Sequence, residues 1–357
     1  MKTTNETKAF SVEDFAPAWG AVVMGTGVIS SGFSMLARQQ VVPELSKVFA
    51  AIFFAATILM AIPILGVTTW RWVRHWGAVA TDLKNPVKGA MSATFAGAFL
   101  VLGVIFGRAG TSLFGTAVAT PFVYVLTGIG AALTVFIGLM FLSDLFARGE
   151  TATPMITGAW FIPPVVTIVI PLALAPVITS TSRFHMDMYW TSWGMLGVGS
   201  TLYVIIAATV FYRSATNKLP PQALAPTLLI GMGPPGLVAL DLILLQETAV
   251  DLGIASADLT SLVNVVAMGL WSFGLAWGLA TLFVIVRGLG RLDFRLSWWG
   301  FTFPLGAWVV AGLALGLEVF SPIIYVPSLV GLAILLVIWV VVVVKTLAGM
   351  RDNTIWE

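Results

Sequence analysis

The chain has 357 residues, of which 59% are hydrophobic and only 10% charged, with a formal net charge of +2. A soluble domain carries about 25% charged residues, and a water-soluble fold of this length would expose more apolar surface than water tolerates. That excludes a soluble enzyme, a nucleic-acid-binding protein and a disordered chain, and leaves the lipid bilayer as solvent and partner.

A helix crosses the hydrocarbon core with roughly 20 apolar residues. Taken in order, residues 1–15 form a polar tail, too charged to read as a cleaved signal peptide. Ten apolar runs then fill a single membrane domain over 16–347, and 348–357 form a second short tail. The runs lie at 17–37, 47–69, 87–107, 118–143, 155–178, 190–212, 223–246, 261–286, 298–317 and 323–347. The connections are short, and the longest, 70–86, has no room for a soluble domain. Fourteen of the eighteen Lys and Arg residues fall on the tails and the even-to-odd connections; Arg38, Lys47, Arg108 and Arg183 fall on the other side. Positive charge marks the cytoplasmic face, so both tails are expected in the cytoplasm and the connection carrying Glu247, Asp251 and Asp258 outside.

Prolines mark the beginnings of four odd-numbered units at Pro17, Pro86, Pro154 and Pro220 or Pro221, spaced by 69, 68 and 66 or 67 residues. Each unit is one helical hairpin, and equivalent units related by one rotation close into a ring. The odd runs hold the unusual residues: Gly20, Gly25 and Thr26 in the first, Pro163 and Pro164 in the fifth, Pro234 and Pro235 in the seventh, Thr302 and Pro304 in the ninth. The even runs are plainer; 51–60 and 333–344 are nearly continuous aliphatic and aromatic residues. Apolar helices suit lipid, whereas glycine- and proline-rich ones suit the protein interior, where freed backbone groups find partners. The fold class expected is therefore an all-α membrane protein, ten helices as five hairpins, with an inner ring of odd spans lining a pore.

Prolines inside these helices would open carbonyls toward a lumen. No Lys or Arg lies at the middle of a run, which argues against a retinal Schiff base, a voltage sensor or a buried cation holding an anion. Selectivity is expected from backbone, hydroxyls and lumen width, with Lys84, Lys88, Arg213 and Arg291 concentrating anions at the inner mouth. Phe303, next to Pro304, is a candidate hydrophobic gate. Trp298 and Trp299 read as an interfacial belt. Asp241 is the clearest ionisable residue within a run, near its outer end where water reaches it, and is a candidate for proton coupling. The chain has no cysteine, and His75 and His185 lie outside the runs, so thiolate metal sites and a bis-histidine haem are excluded. No metal, no cofactor and no catalytic residue is expected, because metal, nucleophile and phosphate-loop motifs are all missing from the sequence.

Several of these segments carry a resemblance. Phe15-Ala16-Pro17-Ala18-Trp19-Gly20 with Gly25-Thr26-Gly27, Asn85-Pro86-Val87, Ala152-Thr153-Pro154 with Trp160-Phe161-Ile162-Pro163, and Trp298 through Gly306 together resemble the tellurite-resistance/dicarboxylate transporter family. Gly233-Pro234-Pro235-Gly236 looks like the malate-permease branch. The family includes malate permeases, sulfite efflux pumps and plant slow anion channels. The resemblance implies five hairpins in quasi-fivefold symmetry about a central pore and a homotrimer with one pore per subunit. It implies a phenylalanine gate at Phe303, with Phe301 as the alternative, and close helix approach at Gly20. The long regulatory termini of the plant channels are absent, which puts kinase gating in doubt. The expected function is transport of small anions across a bacterial inner membrane, C4-dicarboxylates such as malate first. A sulfite exporter or a chloride- or nitrate-type monovalent channel is the alternative.

Overall fold

The computed structural model describes residues 11–218, 220–288 and 292–356. Most of the N-terminal tail, with Lys2 and Lys8, and Arg291 lie outside the described residues. Among the described residues, ten helices are long and apolar enough to cross a membrane. They are Pro17–Arg38, Pro43–Arg74, Pro86–Phe114, Thr116–Ala147, Gly158–Val177, His185–Thr216, Gln222–Asp251, Ala257–Arg287, Leu296–Glu318 and Pro322–Arg351, numbered here as the first to tenth spans. A short helix, Trp76–Leu83, fills the connection between the second and third.

The spans sort into two rings. In the odd spans, 78% to 83% of the most apolar stretch is buried; in the even spans the share is 28% to 33%. The first span packs on the third, the third on the fifth, the fifth on the seventh, the seventh on the ninth, and the ninth returns to the first. This closes an inner ring of five, and each even span packs outside it against the inner span of its own hairpin. The lipid-facing sides of the outer helices are bare aliphatic and aromatic surface, for example Leu59, Ile62, Val204 and Phe211.

Close approach holds the inner ring together. A Cβ on Gly20 would collide with the backbone carbonyl of Thr94, so only glycine lets the first and third spans touch there. The Thr94 hydroxyl completes the contact by donating to the Pro17 carbonyl at 2.8 Å. Gly158 meets the Thr227 carbonyl between the fifth and seventh spans in the same way. Hydroxyls buried within the spans satisfy themselves locally: Thr57, Thr134, Thr167 and Thr248 each donate to the carbonyl four residues earlier.

The inner spans are not simple kinked helices. Four begin as tight 3-10 segments, Pro17–Trp19, Gly158–Phe161, Gln222–Met232 and Leu296–Phe301, and turn into α-helix at Gly20, Ile162, Gly233 and Thr302. The prolines read from sequence as interior kinks sit at these junctions: Pro163 and Pro164 follow Ile162, Pro234 and Pro235 follow Gly233, and Pro304 follows Phe303. A proline in the first helical turn sacrifices no helical hydrogen bond, which is why the chain tolerates so many. The third span differs. Its helix opens on Pro86 with the Asn85 side chain accepting from Val87 N and Lys88 N at 2.9 and 3.0 Å. It runs as α-helix to Ile105, passes through a π-turn at Phe106–Gly110 and ends at Phe114.

Candidate functional site

The inner ring encloses a lumen with two distinct parts. At the face opposite the described chain ends, a vestibule of about 570 Å³ is lined by the first, second, third, fifth and seventh spans. Its charged side chains are Arg38, Lys47, Arg108, Glu247 and Asp251, with hydroxyls from Ser34, Ser112, Thr179 and Thr248. Deeper in, the space shrinks to about 20 Å³, lined by Val28 and Ser31 of the first span, Val101 and Val104 of the third, Val169 of the fifth, Leu237 of the seventh and Phe303 of the ninth, among others. That is room for about one water. All five inner spans contribute a side chain to this one narrow point, and the aromatic ring there belongs to Phe303.

The two gate candidates separate clearly. Phe303 is buried and lines the narrow point. Phe301 lies in the 3-10 segment and packs on Trp298, ring centroids 5.8 Å apart. Gly25 faces the side chains of Thr302 and Trp299, so it joins the first and ninth spans. Thr302 is buried there, its hydroxyl donating to the Trp299 carbonyl at 2.8 Å. Thr26, expected on the lumen, points the other way: its hydroxyl donates to Val22 O at 2.8 Å and accepts from Trp339 Nε1 of the outer tenth span at 3.0 Å. Trp299 is not interfacial. It is 1% exposed, and its indole donates to Thr346 at 3.1 Å.

The expectation that prolines turn bare carbonyls toward the lumen is corrected by the seventh span. The Gly231 carbonyl has Pro234 and Pro235 three and four residues ahead, and neither carries an N–H. It accepts instead from the Tyr203 hydroxyl of the sixth span, at 2.9 Å. Three residues earlier, the Leu228 carbonyl accepts from Trp277 Nε1 of the eighth span at 3.0 Å. The outer ring satisfies these groups, and the narrow point keeps an almost wholly apolar wall.

The charged residues also depart from expectation. The third span continues past residue 107, so Arg108 is not on a connection but within the helix, lining both the vestibule and the narrow point. A cation does therefore stand within the lumen. Its i, i+3, i+7 spacing from Val101 and Val104 was the available signal, hidden because the apolar run stops one residue earlier. Asp241 is 1% exposed, not open to water, and its Oδ2 has no hydrogen-bond partner. At the other face Arg213 is buried, its Nε and Nη1 without a hydrogen-bond partner, and the exposed Lys88 is paired with Asp82 at 3.0 Å. Asp82 also takes Arg71 at 2.6 Å, and Arg71 Nε donates to the Glu13 carbonyl.

Ten apolar spans around one constricted lumen define a multi-pass membrane transport protein. A family model described as SLAC1, voltage-dependent anion channel, matches residues 14–347. An uncharacterized transporter of Methanocaldococcus jannaschii is 30% identical over 96% of this chain and 95% of its own length. Sulfite efflux pumps SSU1 of Trichophyton rubrum and Arthroderma benhamiae are 26% and 27% identical, over 87% of this chain and 84% of theirs. The chain belongs to the SLAC1 family of membrane anion transporters and channels, the tellurite-resistance/dicarboxylate transporter group, and not to a family of enzymes.

Proposed function

We propose that the protein moves small anions across the membrane through its central lumen, with Phe303 as the side chain that closes it. The observation that carries this reading is the narrow point itself: side chains from all five inner spans meet around the Phe303 ring and leave about 20 Å³. An almost wholly apolar constriction with room for about one water excludes a hydrated anion, so passage requires the ring to move. Phe301, held against Trp298, is not in a position to do this.

Sulfite is the first substrate to test, because relatives aligning with 87% of the chain are named sulfite efflux pumps. Malate and other C4-dicarboxylates are the second, supported by the Gly233-Pro234-Pro235-Gly236 resemblance. Chloride and nitrate complete the series. The charge distribution supports an inner-membrane orientation with both chain ends in the cytoplasm, and the family resemblance supports a homotrimer.

Purified protein in liposomes is loaded with labelled sulfite or malate, and efflux is followed with chloride and nitrate as competitors. Phe303→Ala is expected to raise flux about tenfold or more, since removing 1.4 kcal/mol of barrier is already tenfold. Unchanged flux in a monodisperse mutant removes the gate, and no flux of any anion in either protein removes the transport reading. Proton coupling is the second mechanism, favoured by the buried, unpartnered Oδ2 of Asp241. In that case Asp241→Asn abolishes the response of flux to an imposed pH gradient, whereas a channel shows no such response in either protein.

A further inference from the structure

We infer that Arg108 is the oxyanion-binding residue of the lumen, placed at the floor of the vestibule directly before the closure at Phe303. The inference rests on the transport reading above and deepens it, by naming the group that recognises the substrate and the chemistry it selects.

Position comes first. Val101, Val104 and Arg108 form one stripe along the third span and line the same narrow space, which Phe303 also lines. Arg108 is the one charged side chain among the described residues at that point. It also lines the vestibule, so it is shared by the wide and narrow parts of the path. The backbone that carries it is a π-turn, Phe106–Gly110, a form that occurs mostly as single turns and frequently at functional sites. The turn is fixed from both sides. The Thr111 hydroxyl donates back to the Phe106 and Gly107 carbonyls at 3.3 and 3.2 Å. On the other side, a Cβ on Gly107 would stand 2.8 Å from the Pro176 ring of the fifth span.

Charge comes second. Arg108 is within electrostatic range of Arg38, Glu247 and Asp241. Arg38 and Glu247 already bridge each other at 3.0 Å. Asp241 is buried with one carboxylate oxygen unpartnered, and no hydrogen bond or ion pair joins it to Arg108. Among the described residues Arg108 therefore has no direct partner, and its N–H donors remain unspent. A guanidinium held in an apolar constriction without a hydrogen-bonded counter-ion is costly. The cost is offset when an anion arrives. The planar fork presents two parallel donors that match two oxygens of a carboxylate or of sulfite, a geometry a spherical halide does not use. Ser34, whose buried hydroxyl also finds no partner, lines the same vestibule and offers a further donor.

The experiment separates binding from flux, with sulfite as probe and chloride as comparison. Sulfite affinity is measured on purified wild-type, Arg108→Gln and Arg108→Lys proteins in lipid nanodiscs, and flux on the same proteins in liposomes. Loss of a charge-assisted hydrogen-bonded pair is expected to weaken sulfite binding about tenfold or more in Arg108→Gln. Arg108→Lys keeps the charge and loses the fork, so the preference for sulfite over chloride is expected to fall sharply while chloride flux persists. Unchanged affinity in Arg108→Gln, or an unchanged preference in Arg108→Lys, overturns the assignment. If the wild-type protein binds sulfite through Arg108 yet moves no anion, the site stands and the transport reading falls. If transport proceeds equally well in all three proteins with equal selectivity, transport stands and the site falls.

Discussion

The seventh and eighth spans are partners in one hairpin and have nearly equal mean hydropathy, yet they occupy different surroundings. Of the most apolar stretch of the seventh, 83% is buried; of the eighth, 28%. Apolarity therefore does not decide which helix faces lipid. Small residues do, because they set how closely backbones approach. Gly233 and Gly236 of the seventh span lie against Pro304 and Trp308 of the ninth, and neither site has room for a Cβ without displacing its neighbour. Gly269 of the eighth span has nothing within 4 Å of where a Cβ would be. The same residue type is a packing requirement at Gly233 and Gly236 and an ordinary helix position at Gly269.

The comparison breaks most visibly if one substitution is made in both rings. Gly20→Val places side-chain atoms where the Thr94 carbonyl now lies, and a backbone carbonyl cannot rotate away. Overpacking of this kind costs about 3 kcal/mol or more, so little monodisperse protein is expected after detergent extraction. Gly138→Val in the fourth span meets open space, and a surface change of that kind stays within about 0.5 kcal/mol. Equal thermal stability of the two variants in size-exclusion and light-scattering assays would show that glycine spacing does not hold the inner ring.

Much of this division is legible in the amino-acid sequence. Span number, hairpin pairing and the sorting of odd from even follow from run length and from where glycine and proline gather, because both act locally. What was missed depends on three dimensions. Proline at 163, 234 or 304 reads the same in a kink as in the first turn after a 3-10 segment, and only the backbone path distinguishes them. Thr26 has the composition of a lumen residue, but its direction is set by Trp339, 313 positions away. Arg108 ends an apolar run and so reads as part of a connection; the π-turn carries the helix through it. Asp241 stood out as an ionisable residue in a run, yet its burial depends on neighbouring spans that sequence spacing does not reveal.

The smallest expected effect sharpens the comparison, since it asks whether the outer ring is more than a lipid-facing jacket. Tyr203 belongs to the sixth span, and its hydroxyl supplies the hydrogen bond that Pro234 and Pro235 cannot give to the Gly231 carbonyl. Tyr203→Phe keeps the ring, which sits 5.6 Å from Phe161, and removes only the donor. Polar contacts between membrane helices are worth on average about 0.6 kcal/mol and at most about 1.7. A carbonyl left bare inside the bundle places this case toward the upper end, at about 1 kcal/mol. The expected readout is a small fall in melting temperature, matched by Trp277→Phe at the Leu228 carbonyl and additive with it if the two bonds act independently. If neither variant shifts the melting temperature, the 3-10 segment of the seventh span holds its shape without the outer helices. Measurable losses in both would mean that the broken backbone of the inner ring is stable only because the outer ring supplies its missing donors.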